Sequence, residues 1–342
     1  MASFDIFDGD GFSMMSLTQR VNHMPTTPNR IQAMGLFKAQ GVSTTTIAVE
    51  EKNAELSLVQ TSERGSPASE GKKPKRKLRH FEIPHLKRNA RLMADEVQNI
   101  RAFGTMSEPE VALQQFEERV ALRRQEMDLT IERMELSTIC GKLTDANDEI
   151  IYDYYNEFKV MKPADVSFAF STITQANSDK AIINAATTKL KRRLKKALSG
   201  MATGSMQIGA LCGDNFFDKL VNNAETRTPY QNWRAAEQLS DRNLAHDSFK
   251  YGGVTWENYD GDTDGKVKIG EEECRFFVKG VPGLFDIYFG PADTLEFVNT
   301  RGLPLYALPY RDPKNKFWEA EVQTNPLPMC TRPKSLERGI AA

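Results

Sequence analysis

The feature that most constrains this chain is a pair of predicted β-strands joined by a polar segment that cannot enter a hydrophobic core. The stretches VSTTTIAVE (42–50) and ELSLVQT (55–61) are rich in β-branched residues, and LRHFEIPHL (78–86) is predicted to form the return strand. Between them lies SERGSPASEGKKPKRK, which is polar and basic. We therefore predict a long β-hairpin with a basic tip.

The predicted hairpin is long enough to extend beyond the body that carries it. An arm of about 15 residues at about 3.3 Å per residue reaches about 50 Å. A compact chain of this length has a radius of gyration of about 20 Å. We therefore expect the hairpin to lie on a neighbouring subunit. Its candidate intersubunit contacts are Lys72, Lys73, Lys75, Arg76 and Lys77.

The first forty residues do not show the pattern of a packed element. Acidic glycine turns occupy residues 8–11, and Pro25 and Pro28 in MPTTPNR are expected to break any helix. Two interpretations are open, a frayed terminus or an extended arm that becomes ordered against another surface. In the second, the aromatic side chains offered to a neighbour are Phe4, Phe7 and Phe12.

A long helix is predicted from Ser107 to Cys140. Ser107 is a good N-cap, Pro109 is tolerated in the first turn, and Gly141 is expected to end the helix. Apolar residues recur every seven positions, at Leu113, Val120, Met127 and Met134. The partner series that a coiled coil needs instead meets Arg123, Thr130 and Ser137. We therefore predict a single long helix that lies across a sheet.

A second helix is predicted from about Ser178 to Leu198. One stripe is apolar, and cations crowd the C-terminal half of the helix. The candidate contacts with DNA or with a neighbouring subunit are Lys191, Arg192, Arg193, Lys195 and Lys196. The chain has 45 Lys and Arg against 46 Asp and Glu, a net charge of −1. This balance excludes a protein that grips nucleic acid with its whole surface, so protein contact is favoured over DNA contact.

The segment from Asp260 to Glu271 matches the EF-hand calcium loop at several ligand positions. Its candidate metal ligands are Asp260, Asp262, Asp264 and Glu271. The flanking sequence argues against this interpretation, because aromatic residues and glycines stand where an EF-hand has helices. An acidic hairpin turn between two strands explains the segment as well. GKLTDANDEIIYDYYNEF (141–158) is likewise predicted to be a strand, a turn and a second strand.

The signals of catalysis, secretion and membrane insertion are missing from the sequence. No catalytic or phosphate-binding motif occurs around the four histidines, and the four cysteines form no CxxC pair. Sparse cysteines suit a reducing cytoplasm. The acidic N-terminus is unlike a signal peptide, and no apolar run approaches the length of a membrane span. We expect an intracellular protein without enzymatic activity or a cofactor.

Six segments, taken in order, resemble a known family. They are FSMMSLTQRVNHMPTTPNRIQAMGLF, GVSTTTIAVEE, HFEIPHLKRNARLMADEVQNIRAFG, GKLTDANDEIIYDYY, PADTLEFVNTRGLPLYALPY and WEAEVQTNPLPMCTRPKSL. Together they resemble the lambda-type major capsid protein E family of tailed bacteriophages. The resemblance covers nearly the whole chain and is specific only in combination.

The resemblance implies the α+β fold of Hong Kong 97-type phage capsids. In that fold an N-terminal arm and an extended β-hairpin reach adjacent subunits, and a long spine helix crosses a peripheral domain. The implied divisions are an arm (1–40), the hairpin (41–88), a peripheral domain (89–200) with its spine helix at 107–140, an axial domain (201–312) and C-terminal strands that return to the peripheral domain (313–342).

The resemblance also implies a function and partners. The chain is expected to assemble into hexamers and pentamers of an icosahedral shell around double-stranded phage DNA, which it contacts weakly. Because the sequence starts almost at the arm, a separate scaffolding protein or protease–scaffold fusion is expected. A portal protein and a decoration protein are the other expected partners, and no membrane is involved.

The resemblance places the protein in the virion after assembly in the bacterial cytoplasm. No Lys and Asn pair suggests covalent cross-linking, so non-covalent cohesion is expected. Two alternatives stay open at this point. One is an encapsulin-like compartment of the same fold around a cargo enzyme, and the other is a calcium-binding interaction protein that uses the 260–271 loop.

Overall fold

The protein is described from a computed structural model. It describes residues 13–24, 29–52, 76–93, 96, 108–176, 180–198, 201, 204–239, 248–259, 261, 267–314 and 316–341. The chain divides into two compact units. Unit 1 comprises Met1–Asn22, Gln40–Leu113 and Tyr288–Leu327, and unit 2 comprises His23–Ala39, Gln114–Ile287 and Pro328–Ala342. The finer division implied by the family resemblance stays a prediction.

The described strands are numbered in chain order, because the sheets join distant parts of the sequence. They are β1 (Lys38–Gly41), β2 (Thr46–Lys52), β3 (Arg76–Glu82), β4 (Leu86–Met93), β5 (Lys142–Thr144), β6 (Ile150–Asp153), β7 (Val166–Phe168), β8 (Gln207–Cys212), β9 (Ser248–Tyr251), β10 (Val254–Asn258), β11 (Glu273–Lys279), β12 (Phe285–Phe289), β13 (Tyr306–Arg311), β14 (Phe317–Thr324), β15 (Pro326–Cys330) and β16 (Glu337–Ala341).

The described helices vary widely in length. They are α1 (Met14–His23), α2 (Arg30–Met34), α3 (Glu108–Ile139), α4 (Tyr154–Glu157), α5 (Ile182–Ala197), α6 (Asp214–Val221) and α7 (Arg227–Leu239). Short 3-10 turns lie at Phe170–Thr172, Leu295–Phe297 and Pro333–Ser335. No helix in the described parts of the chain combines the length and the apolarity of a membrane-spanning segment.

Unit 1 contains a three-stranded antiparallel sheet in the order β13–β14–β4. In this sheet Ala320 stands opposite both Ala90 and Pro309. Beside it lies a small apolar cluster of Ala292, Phe297, Tyr306 and Leu308. Strands β2 and β3 form a separate two-stranded sheet, in which Ile47 stands opposite Phe81. The predicted hairpin is therefore confirmed over these strands.

Helix α1 corrects the expectation that the first forty residues contain no packed element. Leu17 and Val21 are buried, and the Thr18 hydroxyl bonds both the carbonyl and the amide of Ala307 at 3.4 and 3.2 Å. The Asn22 side-chain amide donates to the Leu305 carbonyl at 2.8 Å. The predicted break at Pro25 and Pro28 follows the helix, so both prolines are compatible with it.

Unit 2 is built on a six-stranded mixed sheet in the order β7–β16–β11–β8–β10–β9. Strand β8 lies between β10, which is parallel to it, and β11, which is antiparallel. Four aromatic rings pack edge-to-face, tilted or stacked at centroid distances of 5.4–6.1 Å, and they are Phe168, Phe216, Trp256 and Phe276. These rings lie in the large core of unit 2.

A further sheet has the order β1–β12–β15.

The long helix is confirmed within one residue at each end, as α3 spans Glu108–Ile139. Its 32 residues correspond to a rod of about 50 Å. Val120, Met127 and Met134 of the seven-residue series are buried, together with Phe116 and Ile131. Gly141 has a φ of 89°, and a Cβ there would lie 2.3 Å from the Tyr155 ring, so this position both ends the helix and requires glycine.

The hairpin after α3 is confirmed only in part. Strands β5 and β6 pair as predicted. The second strand ends at Asp153, whose carboxylate accepts hydrogen bonds from the amides of Tyr155 and Asn156. This cap starts α4, so the prediction that YYNEF continues the strand is wrong.

Candidate assembly and nucleic-acid surfaces

The hairpin of β2 and β3 has one covered face and one exposed face. On the covered face, Ile47 and Phe81 are opposite one another and buried. On the other face, Ala48, Leu78 and His80 are exposed, and Leu78 exposes 60% of its surface. Among the described strands, neither β2 nor β3 pairs with any strand except the other. Neither outer edge of this sheet is therefore paired with another described strand, and the exposed face presents the apolar side chain of Leu78.

Only two of the predicted hairpin contacts fall within the described residues. Arg76 and Lys77 lie in β3, at the positions opposite Lys52 and Glu51. The other predicted intersubunit residues lie outside the described residues, and they are Lys72, Lys73, Lys75, Phe4, Phe7 and Phe12.

Helix α5 is firmly held within unit 2. It spans Ile182–Ala197, slightly shorter than the predicted 178–198, and buries Ile183, Thr187, Leu190 and Leu194. Its first turn is capped by a side chain from outside the helix. The Glu225 carboxylate accepts hydrogen bonds from the amides of Ile183 and Asn184 at 2.9 and 3.0 Å, and from the Tyr251 hydroxyl at 2.8 Å. The residue before a helix normally supplies this cap. Ala181 cannot do so because its side chain has no hydrogen-bond acceptor, and Glu225 supplies the cap in its place.

The five predicted basic residues of α5 have different surroundings. Arg192, Lys195 and Lys196 are exposed, whereas Lys191 and Arg193 are partly covered. Arg193 lies 2.6 Å from the Glu337 carboxylate and donates to the Ala164 carbonyl at 2.7 Å. Burial raises the pKa of Glu337 to about 7, although the charge of Arg193 opposes the rise. Arg193 therefore stabilises its own subunit, while the exposed cations form an outward-facing basic surface.

A second charge cluster lies on the same sheet. The Glu273 carboxylate pairs with Arg275 at 2.8 Å and also with Arg338, which reaches Asp165 at 3.4 Å. Burial alone would raise the pKa of Glu273, but the two guanidinium groups lower it below its ordinary value. This cluster ties β11 to β16 and to the residue preceding β7.

The acidic 260–271 segment connects two strands that do not pair with each other. It runs from β10 to β11, and β8 lies between these strands in the sheet. The alternative prediction of a hairpin turn is therefore wrong, because the segment crosses over an intervening strand. Asp260, Asp262 and Asp264 lie outside the described residues. The Glu271 carboxylate accepts a hydrogen bond from the Asn215 amide at 3.0 Å.

Strands flank this segment on both sides, in contrast to the helices of an EF-hand. Within the described residues, no group of three or more His, Cys, Asp or Glu side chains is placed to hold a metal ion. The calcium interpretation thus gains no support from the residues around the loop.

Sequence reasoning missed the polar side chains that organise unit 2 from within. The sequence pattern around these side chains is typical of a solvent-exposed helix or turn, and they are Glu132, Glu135 and Glu225. A signal was present in the helical spacing, because Glu132 lies four residues before Leu136 and Glu135 lies four residues after Ile131, and both of these apolar side chains are buried.

The comparisons with known proteins decide the family. The family described as phage major capsid protein E matches residues 13–341. The chain belongs to the phage major capsid protein E family. The major capsid protein of Salmonella phage Felix O1 is 26% identical over 357 residues, covering 95% of both chains. The major capsid protein of Pseudomonas phage KPP10 is 26% identical, covering 97% of this chain and 98% of that protein.

The fold agrees with this assignment. The capsid of cyanophage A-1(L) superposes with a TM-score of 0.53 at 10% identity, covering 93% of this chain and 94% of that chain. The predicted α+β class and the Hong Kong 97-type capsid fold are confirmed. The predicted function as a major capsid protein of a tailed phage is confirmed as well. Members of this family form the capsid of the virion, so the family favours a phage shell over an encapsulin-like compartment.

Proposed function

We propose that this capsid protein assembles into hexamers and pentamers that close an icosahedral shell around double-stranded DNA. The observation that carries the proposal is the match to the capsid family along nearly the whole chain. The proposed role in the virion is structural, and neither enzymatic activity nor a cofactor belongs to it.

The β2–β3 hairpin is the surface through which we propose that one subunit holds the next. Leu78 is exposed, and neither strand pairs with any other described strand. Exposed strand edges and apolar side chains are liabilities for a free protein and are stabilised when a neighbour covers them. Obligate assemblies of this kind bury more than about 2,000 Å² per interface.

The predicted basic tip directly precedes this hairpin strand in the sequence. Lys72, Lys73 and Lys75 come immediately before Arg76 and Lys77. We propose that these cations contact an acidic region of the neighbouring subunit. Phe4, Phe7 and Phe12 are proposed as the apolar contacts of the N-terminal arm.

The exposed cations of α5 are proposed to meet either the neighbouring subunit or packaged DNA. Arg192 and Lys195 are exposed, whereas Leu190 and Leu194 of the same helix are buried. With a net charge of −1 for the whole chain, DNA contact through this helix is expected to be weak and non-specific.

The remaining partners follow from the role in a tailed-phage head. A scaffolding protein or protease–scaffold fusion would guide assembly, a portal protein would occupy one vertex, and a decoration protein would reinforce the finished shell. Assembly is proposed to occur in the bacterial cytoplasm, and cohesion between subunits is proposed to be non-covalent.

Deleting Ser66 to Lys77 tests the proposal. Co-expression with neighbouring phage genes, followed by sedimentation and negative-stain microscopy, should give closed shells for the native chain. The deletion should leave soluble subunits without shells. The double substitution of Lys314 and Lys316 with serine is a control, since both residues are exposed on unit 1 and lie in another loop. If the deletion variant forms normal particles, the proposed intersubunit role of the hairpin is wrong.

A further inference from the structure

Two buried glutamates lie one turn apart on the long helix α3. Glu132 and Glu135 are each 3% exposed. Residues three apart on a helix are neighbours, and like charges at that spacing repel one another. Burying an ionised carboxylate is costly unless hydrogen bonds or an opposite charge compensate it. The two side chains differ sharply in that compensation.

Glu132 is fully engaged. Its carboxylate accepts hydrogen bonds from the Ile31 amide at 2.8 and 3.1 Å and from the Tyr259 hydroxyl at 3.0 Å. Burial raises the pKa of Glu132, while these hydrogen bonds and the charge of Arg30 oppose the rise. Glu132 thereby fastens the start of α2 to the long helix.

Glu135 has no such compensation. Its Oε2 atom is buried and has no hydrogen-bond partner among the described residues. Burial, and secondarily the neighbouring Glu132 charge, raise the pKa of Glu135 well above the ordinary carboxyl value. Glu135 therefore holds a proton in the folded subunit under conditions in which an exposed glutamate has lost it.

Two arginines in the described residues near α2 and α3 form ion pairs with carboxylates other than Glu132 and Glu135. Arg30, on α2, forms an ion pair with Glu257 of β10. About two turns before Glu132 on α3, Arg124 pairs with Asp128 at 3.7 Å and donates to the Met24 carbonyl at 2.7 Å. The Asn29 side chain donates to the Asp128 carbonyl at 2.8 Å. Met24, Asn29 and Ile31 are thus held along α3 by a row of polar contacts that ends at Glu132.

We propose that Glu132 and Glu135 form a one-proton latch that controls how tightly residues 29–34 are seated on the long helix. While Glu135 carries its proton, the pair bears a single negative charge, and Glu132 uses it to bind the Ile31 amide. When Glu135 releases the proton to water, two buried carboxylates one turn apart on α3 are charged at the same time. Lifting residues 29–34 lets water reach Glu132 and relieves that repulsion.

The direction of the pH dependence follows from the proton that the closed state retains. The contribution of the Glu135 proton to closure is fully present below the ordinary carboxyl pKa of 4.5 and is lost as the pH rises through the raised pKa of Glu135. For a single proton the equilibrium constant for opening can rise by at most about tenfold per pH unit.

Hydrogen exchange of the full chain between pH 5 and 8 tests the latch. The Ile31 amide is the direct reporter because it donates to Glu132. After correction for the pH dependence of intrinsic exchange, the opening of peptides that cover residues 29–36 should increase with pH. Glu135→Gln should remove this increase and leave the segment protected at pH 8.

Two further variants make the result decisive. Glu118→Gln changes an exposed carboxyl of the same helix and should keep the native pH dependence. Glu132→Gln keeps an acceptor for Ile31 but removes the neighbouring charge. No repulsion between two carboxylates then remains to be relieved, so the increase of opening with pH should be lost in this variant as well. The proposal is overturned if the native chain shows no increase, or if either Glu135→Gln or Glu132→Gln retains it.

Discussion

The β2–β3 hairpin and helix α5 both carry basic residues next to apolar ones, but they differ in how far the subunit buries the apolar side chains. Helix α5 has its apolar stripe in the core of unit 2, and Glu225 caps its first turn. The hairpin has Ile47 and Phe81 buried on one face, while Leu78 is exposed on the other. One element is completed within its own unit, and the other exposes an apolar side chain that nothing in the described residues covers.

This difference distinguishes stability from assembly. Substitutions in the buried stripe of α5 should lower the free energy of unfolding of the subunit. Substitutions on the exposed hairpin face should leave that free energy nearly unchanged and act on the shell. The predictions below use this contrast.

The largest effect is expected from Leu78→Asp. Leu78 is 60% exposed in the subunit, so the thermal midpoint of the free subunit should hardly change. Its burial against a neighbour would place a carboxylate in an apolar contact, so closed shells should be lost. Sedimentation and calorimetry of the same preparations measure both quantities.

Phe81→Ala is the matched change on the covered face of the same strand. Phe81 is fully buried, so this variant should lower the free energy of unfolding by about 3–5 kcal/mol. If Leu78→Asp gives the native yield of shells, the exposed face of the hairpin has no role in assembly that distinguishes it from the covered face.

The next effect is expected in the buried stripe of α5. Leu194→Ala removes a fully buried side chain and should lower the free energy of unfolding by about 2–5 kcal/mol. Urea denaturation measures the change. The adjacent exposed Lys195→Ala should stay within about 0.5 kcal/mol of the native protein. Equal effects of the two variants would show that the stripe does not anchor the helix.

A smaller and pH-dependent effect is expected from Arg193→Ala. The change leaves Glu337 without its cation and should destabilise the subunit by about 1–3 kcal/mol when that carboxyl is ionised. Because the pKa of Glu337 is about 7, the loss should be larger at pH 8 than at pH 5, where the group is protonated. Denaturation curves at the two pH values test this, with Arg192→Ala as the exposed control. A loss of the same size at both values would contradict the assignment.

The smallest effect is expected at the cap of α5. Glu225→Ala leaves the amides of Ile183 and Asn184 without their acceptor and should cost about 1–2 kcal/mol. Glu225→Gln retains one acceptor oxygen and should cost less. If the alanine variant matches the native protein in urea denaturation, another group must cap the helix.

Local patterns predicted the elements whose residues are close in sequence. The bounds of α3 followed from its N-cap signals and Gly141, and the apolar stripe of α5 followed from helical spacing. The prediction failed where a contact between distant residues decides the structure. Helix α1 depends on Ala307, and the crossing of the 260–271 segment depends on the parallel pairing of β8 with β10.

The candidate surfaces, too, were predicted only where the signal is local in the sequence. The β-branched strand and its return strand indicated the hairpin, but not which face would be covered, because that depends on the rest of unit 1. Charge spacing indicated the basic end of α5, but it could not show that Arg193 pairs with Glu337, which lies in the last strand of the chain. Most of the predicted hairpin and arm contacts lie outside the described residues.

The most direct test of the account is hydrogen exchange of the free subunit compared with assembled shells. We predict that assembly strongly protects residues 46–52 and 76–82, while residues 183–194 of α5 are already protected in the free subunit and change little. Unchanged exchange across the hairpin strands after assembly would contradict the claim that a neighbouring subunit covers this hairpin.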